Sequence, residues 1–317
     1  MSIDFTETTP LPENCPLCDS KRLTVQYARA HDYITGDVFT VWQCDVCGIA
    51  LTYPKPIALD RYYPTHYRQY HPLALWALEQ FYKMRVRSWT RSFKRGGRAL
   101  EIGCGDGFML HLLKWAGWEV LGTERTPEMA QRAMDLFDVP VIVSDPTHLA
   151  SEGLFDLIIL FQVLEHLGNP LSMLEACVQL LSPNGVLVIG VPNFASWQSA
   201  FGRDSWLHLD VPRHLFHYSP TSLRKALERV GLCVIDVNFI SLEHDPFGWV
   251  QTILNRLGFE HNALTRLLMR TDHMTASNLL QIVLAAVLII PSSGLAGISW
   301  MVSQGAIMQV VSRLQND

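Results

Sequence analysis

Residues 98–116 constrain the fold more than any other stretch. A short apolar run, Ala99-Leu100-Glu101-Ile102, enters Gly103-Cys104-Gly105-Asp106-Gly107 and continues as Phe108 to Ala116, which predicts a strand, a glycine turn and a helix. Glycines at the end of a strand tolerate positive φ and let a ligand approach the backbone closely. The spacing is GxGxG preceded by an acid, not the GxGxxG of dinucleotide folds, and no Walker lysine follows. Beyond the turn come a strand from Trp118 to Thr123, a helix from Pro127 to Phe137, and strands at Pro140 to Val143 and Phe155 to Phe161. Such alternation predicts an α/β fold, a parallel sheet with helices on both faces. Glu124 ends the second strand, where a carboxylate in such folds accepts hydrogen bonds from ribose hydroxyls.

Four of the seven cysteines form two pairs, Cys15-Pro-Leu-Cys18 and Cys44-Asp-Val-Cys47-Gly48. Each CxxC knuckle turns two thiolates toward one ion, and four sulfurs complete the tetrahedral shell of a structural Zn²⁺, leaving no position for water or substrate. Between the pairs, Val25, Tyr27, Val38, Phe39, Val41 and Trp42 around Thr35-Gly36-Asp37 predict a β-hairpin. Residues 1–55 therefore read as a zinc ribbon. Cys104, Cys177 and Cys233 lie in apolar contexts expected of small core residues.

A connector and basic helix are expected over 56–97. The connector includes Tyr62-Tyr63-Pro64-Thr65-His66-Tyr67, and from Glu79 to Arg98 seven basic residues face one acid. This is either a solvated helix face or a surface for anionic groups. The third expected segment, 98–317, carries the sheet. The opening residues MSIDFTETTPLPEN lack the basic and apolar regions of a signal peptide, which predicts a cytoplasmic protein.

Only 17% of the 317 residues are charged, 49% are hydrophobic, the mean hydropathy is +0.13 and the net charge is -5. Disorder is excluded, and a protein that coats nucleic acid is disfavoured. Much of the apolar excess lies between His273 and Ser312, 40 residues without Asp, Glu, Lys or Arg. Leu279 to Ile290 is shorter than the roughly 20 residues of a membrane span, and Pro291-Ser-Ser-Gly294 predicts a break after it. The expectation is a helical insertion over about 246–304, between a sixth strand (Leu232 to Ile240) and a seventh (about Ala306 to Val311). It would pack within the protein or a homodimer, or lie at the inner face of a membrane with Leu284 and Leu288 toward lipid.

Three runs in order carry a resemblance: Glu101-Ile-Gly-Cys-Gly-Asp-Gly107, Phe155-Asp156-Leu-Ile-Ile-Leu-Phe-Gln-Val-Leu-Glu-His166, and Leu181-Ser-Pro-Asn-Gly-Val-Leu-Val-Ile-Gly-Val-Pro-Asn193. Together the chain resembles class I S-adenosylmethionine-dependent methyltransferases. That resemblance implies a Rossmann-like seven-stranded sheet of order 3-2-1-4-5-7-6, its last strand antiparallel. It also implies that Gly103, Gly105 and Asp106 line the methionyl part of S-adenosylmethionine, Glu124 holds the ribose and Asp145 faces the adenine. Gln162 would flank the sulfonium, and Glu101 would orient the turn or the cofactor amine. The ribbon, the tyrosine-rich connector and Trp206-Leu-His-Leu-Asp-Val-Pro-Arg-His-Leu-Phe-His-Tyr-Ser219 further resemble a bacterial branch associated with surface-glycan or lipid-linked saccharide biosynthesis.

Methyl transfer is an in-line displacement that needs alignment, plus a base where the acceptor loses a proton. His166, His208, His214 and His217 are candidates because imidazole titrates near neutrality; His214 and then His166 are favoured, with Arg213 as a clamp for an anionic substrate group. No Asn/Asp-Pro-Pro-Tyr run follows the fourth strand, which argues against base methylation. The expected activity is O-methylation of a small saccharide or a lipid-linked glycan intermediate. An RNA methyltransferase and a non-catalytic cofactor-binding scaffold at a membrane are the alternatives.

Overall fold

The computed structural model describes residues 8–9, 11–57, 60–63, 72–91, 96–143, 149, 152–269 and 274–315. In chain order these form β1 (Thr8–Thr9), β2 (Leu23–His31), β3 (Val38–Cys44), β4 (Ala50–Tyr53), β5 (Lys55–Pro56), α1 (Pro72–Thr90), β6 (Arg98–Ile102), α2 (Phe108–Trp115), β7 (Glu119–Thr123), α3 (Pro127–Phe137) and β8 (Val141–Ile142). Then follow β9 (Phe155–Phe161), α4 (Pro170–Leu180), β10 (Leu181–Pro192), α5 (Trp197–Gly202), β11 (Phe216–His217), α6 (Pro220–Arg229), β12 (Leu232–Asn238), α7 (Asp245–Arg256), α8 (Ala263–Leu268), α9 (Ala276–Met301) and β13 (Ile307–Leu314). Asp145, Pro64 to Tyr67, Lys94, Arg95 and His273 lie outside the described residues.

The chain divides into two compact units, one from the described residues of 1–74, 192–223 and 239–308, the other from those of 75–191, 224–238 and 309–317. The second unit is built on a seven-stranded sheet of order β12-β13-β10-β9-β6-β7-β8. Numbered by their place among the sheet strands, this is the expected 3-2-1-4-5-7-6. Strands β10, β9, β6, β7 and β8 run parallel, and β13 runs antiparallel to β12. The central strands are apolar on both faces because helices cover both: Leu100, Leu157, Ile158, Ile159 and Val188 are fully buried. Asp156 ties the strand starts together, accepting from the Arg98 amide at 3.0 Å and the Ser182 hydroxyl at 2.9 Å.

In the first unit, β2 and β3 form the expected hairpin, and its turn is closed by Asp32, whose carboxylate accepts from the amide and hydroxyl of Thr35 at 2.6 and 2.7 Å. The hairpin sheet continues to β4 and to β11, a strand from much later in the chain that pairs Phe216 with Leu51. Thr52 seals that addition: its hydroxyl donates to the His214 carbonyl at 2.7 Å and lies 2.8 Å from His217 Nε2. One apolar core, including Tyr27, Phe39, Phe194, Trp206 and Ala306, is shared by the hairpin sheet and the segment after β10.

Helices α7, α8 and α9 fall between β12 and β13, as expected of the insertion. The break at Pro291 does not occur; α9 runs through it for 26 residues. Pro291 is on the exposed side of the helix, and its missing amide removes one ladder bond. Leu284 and Leu288 pack inward against Val250, Leu254 and Leu264, as the packed insertion would have them and opposite to the side that the membrane alternative assigned them.

Candidate functional site

The glycine turn follows β6 within the second unit. Gly103, Gly105 and Gly107 have φ of 69, 55 and 79°, the left-handed region that residues with a side chain avoid. The Thr123 carbonyl at the end of β7 accepts from the amides of Gly103 and Cys104 at 2.9 and 3.0 Å, which pins the turn to the neighbouring strand. A Cβ at Gly103 would stand 2.7 Å from Val163, so the turn and the segment after β9 meet closely.

Three carboxylates gather around this turn. Glu124 Oε2 accepts from the Gly105 amide at 3.0 Å, and Oε1 accepts from the amides of Arg125 and Thr126 at 2.8 and 3.2 Å. A carboxylate has about four acceptor positions, so one remains for a ligand hydroxyl. Asp106 Oδ1 accepts from the Phe108 amide at 3.3 Å, at the start of α2. Glu101 is buried with Oε2 lacking a hydrogen-bond partner. Burial, and then the charges of Asp106 and Glu124, hold Glu101 well above the usual carboxylate range; burial raises Asp106 as well. A cationic ligand would relieve both.

Gln162 sits at the exit of β9 with φ of 56°, uncommon for a residue bearing a side chain. Its amide donates to the Gly190 carbonyl at 2.8 Å, while its side-chain Nε2 is buried without a partner. Gly190 is a residue the sequence reading missed. A Cβ there would lie 2.3 Å from the Phe161 ring, so only glycine lets that ring lie against β10 and Gln162 turn as it does. The signal was available as a glycine interrupting Val186-Leu-Val-Ile-Gly190-Val. His166, partly exposed, ends the short turn Leu164–His166 that follows.

Glu101, Gly103, Gly105, Asp106, Glu124, Gln162 and His166 thus lie in the second unit, whereas Arg213, His214 and the four paired cysteines lie in the first. Arg213 is buried, its guanidinium 2.8 Å from Asp32, 2.7 Å from Asp210, stacked over Tyr33 and donating to the Tyr62 carbonyl. These partners saturate the fork that a substrate clamp would need free, and they tie the loop after β10 to the hairpin. His214 is buried too; Nδ1 lies 2.9 Å from the His208 carbonyl, which assigns a proton to Nδ1, and Nε2 lies 3.8 Å from Asp210. Burial lowers His217 to about 3, so it stays neutral.

The sulfurs of Cys15, Cys18, Cys44 and Cys47 all lie within 4.8 Å of one another, with Cys15 to Cys47 and Cys18 to Cys44 at 3.6 Å. Tetrahedral Zn–S bonds of ~2.3 Å require sulfurs about 3.8 Å apart, so the cluster has the right size. The two knuckles are shaped by paired backbone bonds, Asp19 to the Cys15 carbonyl and Gly48 to the Cys44 carbonyl, each at 2.9 Å.

A family model described as a methyltransferase domain matches residues 76–237. Among curated relatives, a ubiquinone biosynthesis O-methyltransferase of Cereibacter sphaeroides is 26% identical over 173 residues, 51% of this chain and 69% of that protein. One of Xanthomonas campestris pv. campestris is 28% identical over 156 residues, 45% of this chain and 65% of that protein. Among solved structures, a SAM-dependent methyltransferase from Archaeoglobus fulgidus is 20% identical with a TM-score of 0.48, covering 74% of this chain and 93% of that one. The family match covers half of the chain and contains the glycine turn, Glu124, Gln162 and the parallel strands that position them. The chain belongs to the methyltransferase-domain family and is an S-adenosylmethionine-dependent methyltransferase.

Proposed function

We propose that this methyltransferase acts on an oxygen of a saccharide or lipid-linked glycan intermediate, on the cytoplasmic side of the membrane. The observation that carries the cofactor half is the acidic pocket at the glycine turn: Glu101, Asp106 and Glu124 surround a backbone that glycines leave open, and the partnerless Gln162 Nε2 is buried in the same unit. S-adenosylmethionine supplies an activated methyl group on a sulfonium. Around it, the free acceptor position of Glu124 suits a ribose hydroxyl, and the carboxylates of Glu101 and Asp106 suit the positive charges of the amine and sulfonium. Oxygen as the acceptor atom is supported by the curated relatives, which are named as O-methyltransferases. The saccharide or lipid-linked character rests on the likeness of the ribbon, connector and Trp206 to Ser219 run to the glycan-associated branch.

His214 is assigned as the base, with His166 as the second candidate. Arg213 enters as the residue that holds the loop of His214 in place, since its own charge is spent on Asp32 and Asp210. Cys15, Cys18, Cys44 and Cys47 are assigned to a structural zinc, which would fix the knuckles and take no part in the transfer.

Incubation with methyl-labelled S-adenosylmethionine and separated lipid, nucleotide-sugar, protein and RNA fractions tests the acceptor. Label in the lipid or nucleotide-sugar fraction is expected, and label confined to RNA or protein overturns the proposal. His214→Gln should abolish the transfer while leaving cofactor binding by calorimetry intact.

A further inference from the structure

Helix α9 is built inside out. Its buried positions are Asn278, Gln281, Ser292, Ala296 and Ser299, an arc of amides, hydroxyls and small side chains turned toward the protein. Asn278, Ser292 and Ser299 stand at multiples of seven residues, so they fall on one stripe. On the neighbouring helix α7, Gln251, Thr252 and Asn255 are buried too, and their bonds go to the Leu264, Leu207 and Ser205 backbone and to Asn262. The outward side carries Leu279, Val283, Val287, Ile290, Ile298 and Met301, all exposed, Ile290 at 79% and Met301 at 77%. An amphipathic helix in water does the opposite. Small and polar residues toward protein with large aliphatics outward is the pattern of a helix whose solvent is hydrocarbon.

Two further observations choose the occupant. At 100° per residue the exposed positions of α9 sweep about 240° of its circumference, whereas a single partner helix covers an apolar stripe of roughly 100°. A fluid hydrocarbon layer wets the whole arc; one protein surface does not. Beside the arc, Phe247, Leu264, Leu267, Met274, Ile282 and Ala285 line an open apolar groove of about 480 Å³ that a lipid chain fits. Among the described residues from Met274 to Ser312 no Asp, Glu, Lys or Arg interrupts the face.

Although α9 is long enough to cross a bilayer, both of its ends are tied to the same folded unit. At the C-terminal end Asp245 accepts from Trp300 Nε1 at 2.6 Å and from the Ala306 amide at 3.1 Å. At the N-terminal end α9 packs with α8, whose Arg266 donates to the Tyr33 carbonyl of the hairpin at 3.1 Å. We propose that α9 lies in the plane of one leaflet of a lipid bilayer, its aliphatic arc in the acyl region and the Phe247–Leu264–Ile282 groove filled by a lipid chain. This deepens the lipid-linked reading of the acceptor, by placing the enzyme at the surface where such an acceptor resides.

Flotation of the full chain with phosphatidylcholine vesicles tests it, and needs neither cofactor nor methyl transfer, so its failure leaves the acceptor assay standing. The protein is expected to float with neutral vesicles and to stay bound in high salt, because the arc holds no charge. Val283→Glu/Val287→Glu/Ile290→Glu should lower the bound fraction about ten-fold or more while the melting curve stays unchanged, since all three side chains are outside. Vesicle-free protein should elute as a monomer or as detergent-sensitive aggregates. A wild-type chain that stays with the soluble fraction overturns the proposal. So does equal flotation of the triple variant, or a defined dimer that the triple variant splits into monomers.

Discussion

At the glycine turn, carboxylates gather at the ends of strands whose Leu100, Leu157 and Ile159 are sealed from water, whereas along α9 the sealed residues are Asn278, Gln281 and Ser292 and the outward ones are aliphatic. The two regions obey opposite rules. The sheet is stabilised by withdrawing apolar area from water. For α9 the outward aliphatics gain nothing in water, and its hold on α7 comes from Leu284 and Leu288 packed on Val250 and Leu254 and from the Trp300 bond to Asp245. The difference teaches that high hydropathy says a segment avoids water without saying which of its sides does the avoiding.

The contrast can be broken most directly at the turn. Gly105→Leu forces a branched side chain into φ of 55° where the backbone is to meet the cofactor. Calorimetry should show affinity for S-adenosylmethionine falling by ~100-fold or more, with vesicle flotation unaffected. If flotation fell in parallel, the two regions would not be independent. Next in size is a pair of neighbours on α9. Leu288→Glu buries a charge against Val250 and Leu254 and should cost about 3 kcal/mol of unfolding free energy. Val287→Glu, one residue away and 67% exposed, should stay within about 0.5 kcal/mol in the same denaturant titration.

Asp245 sharpens the comparison from the polar side. Burial raises its carboxyl to about 7, against the Trp300 and Ala306 hydrogen bonds that favour its charge. A group whose pKa is higher folded than unfolded contributes stability below its unfolded pKa and loses it as pH rises through the folded value. The melting temperature should therefore decline as pH climbs from about 4 past 7, and Asp245→Asn should flatten that slope. A smaller effect belongs to the pocket. Glu101 and Asp106 both sit above their ordinary range, so a cationic cofactor should drive protons off them. Its affinity should rise with pH, and calorimetry in buffers of different ionisation enthalpy should register proton release on binding.

Much of the sheet was legible because its signals are local. Helix α3 and strand β9 have the bounds expected of them, and Gly103 to Gly107 declare the turn through their conformational freedom. The strand order followed from a resemblance carried by three runs. Gly190 and the commitment of Arg213 were not read, because each depends on a partner far along the chain: Phe161 for the first, Asp32 and Tyr62 for the second. The addition of β11 to the hairpin sheet is of the same kind; no local pattern announces that Phe216 pairs with Leu51.

By itself, the sequence determined that the chain is an α/β protein with a nucleoside-binding turn, that two cysteine pairs stand at zinc-knuckle spacing, and that its apolar excess sits in one uncharged stretch near the C-terminus. Tertiary structure alone decided that the cysteine sulfurs converge, that the hairpin and the loop of His214 share one core, and that Leu284 and Leu288 face protein while Val283 and Val287 face out. The reason is physical. Propensity, glycine geometry and knuckle spacing act over a few residues, whereas the orientation of a nearly uniform aliphatic helix is set by which of its side chains meet α7 and α8, elements that only the fold brings beside it.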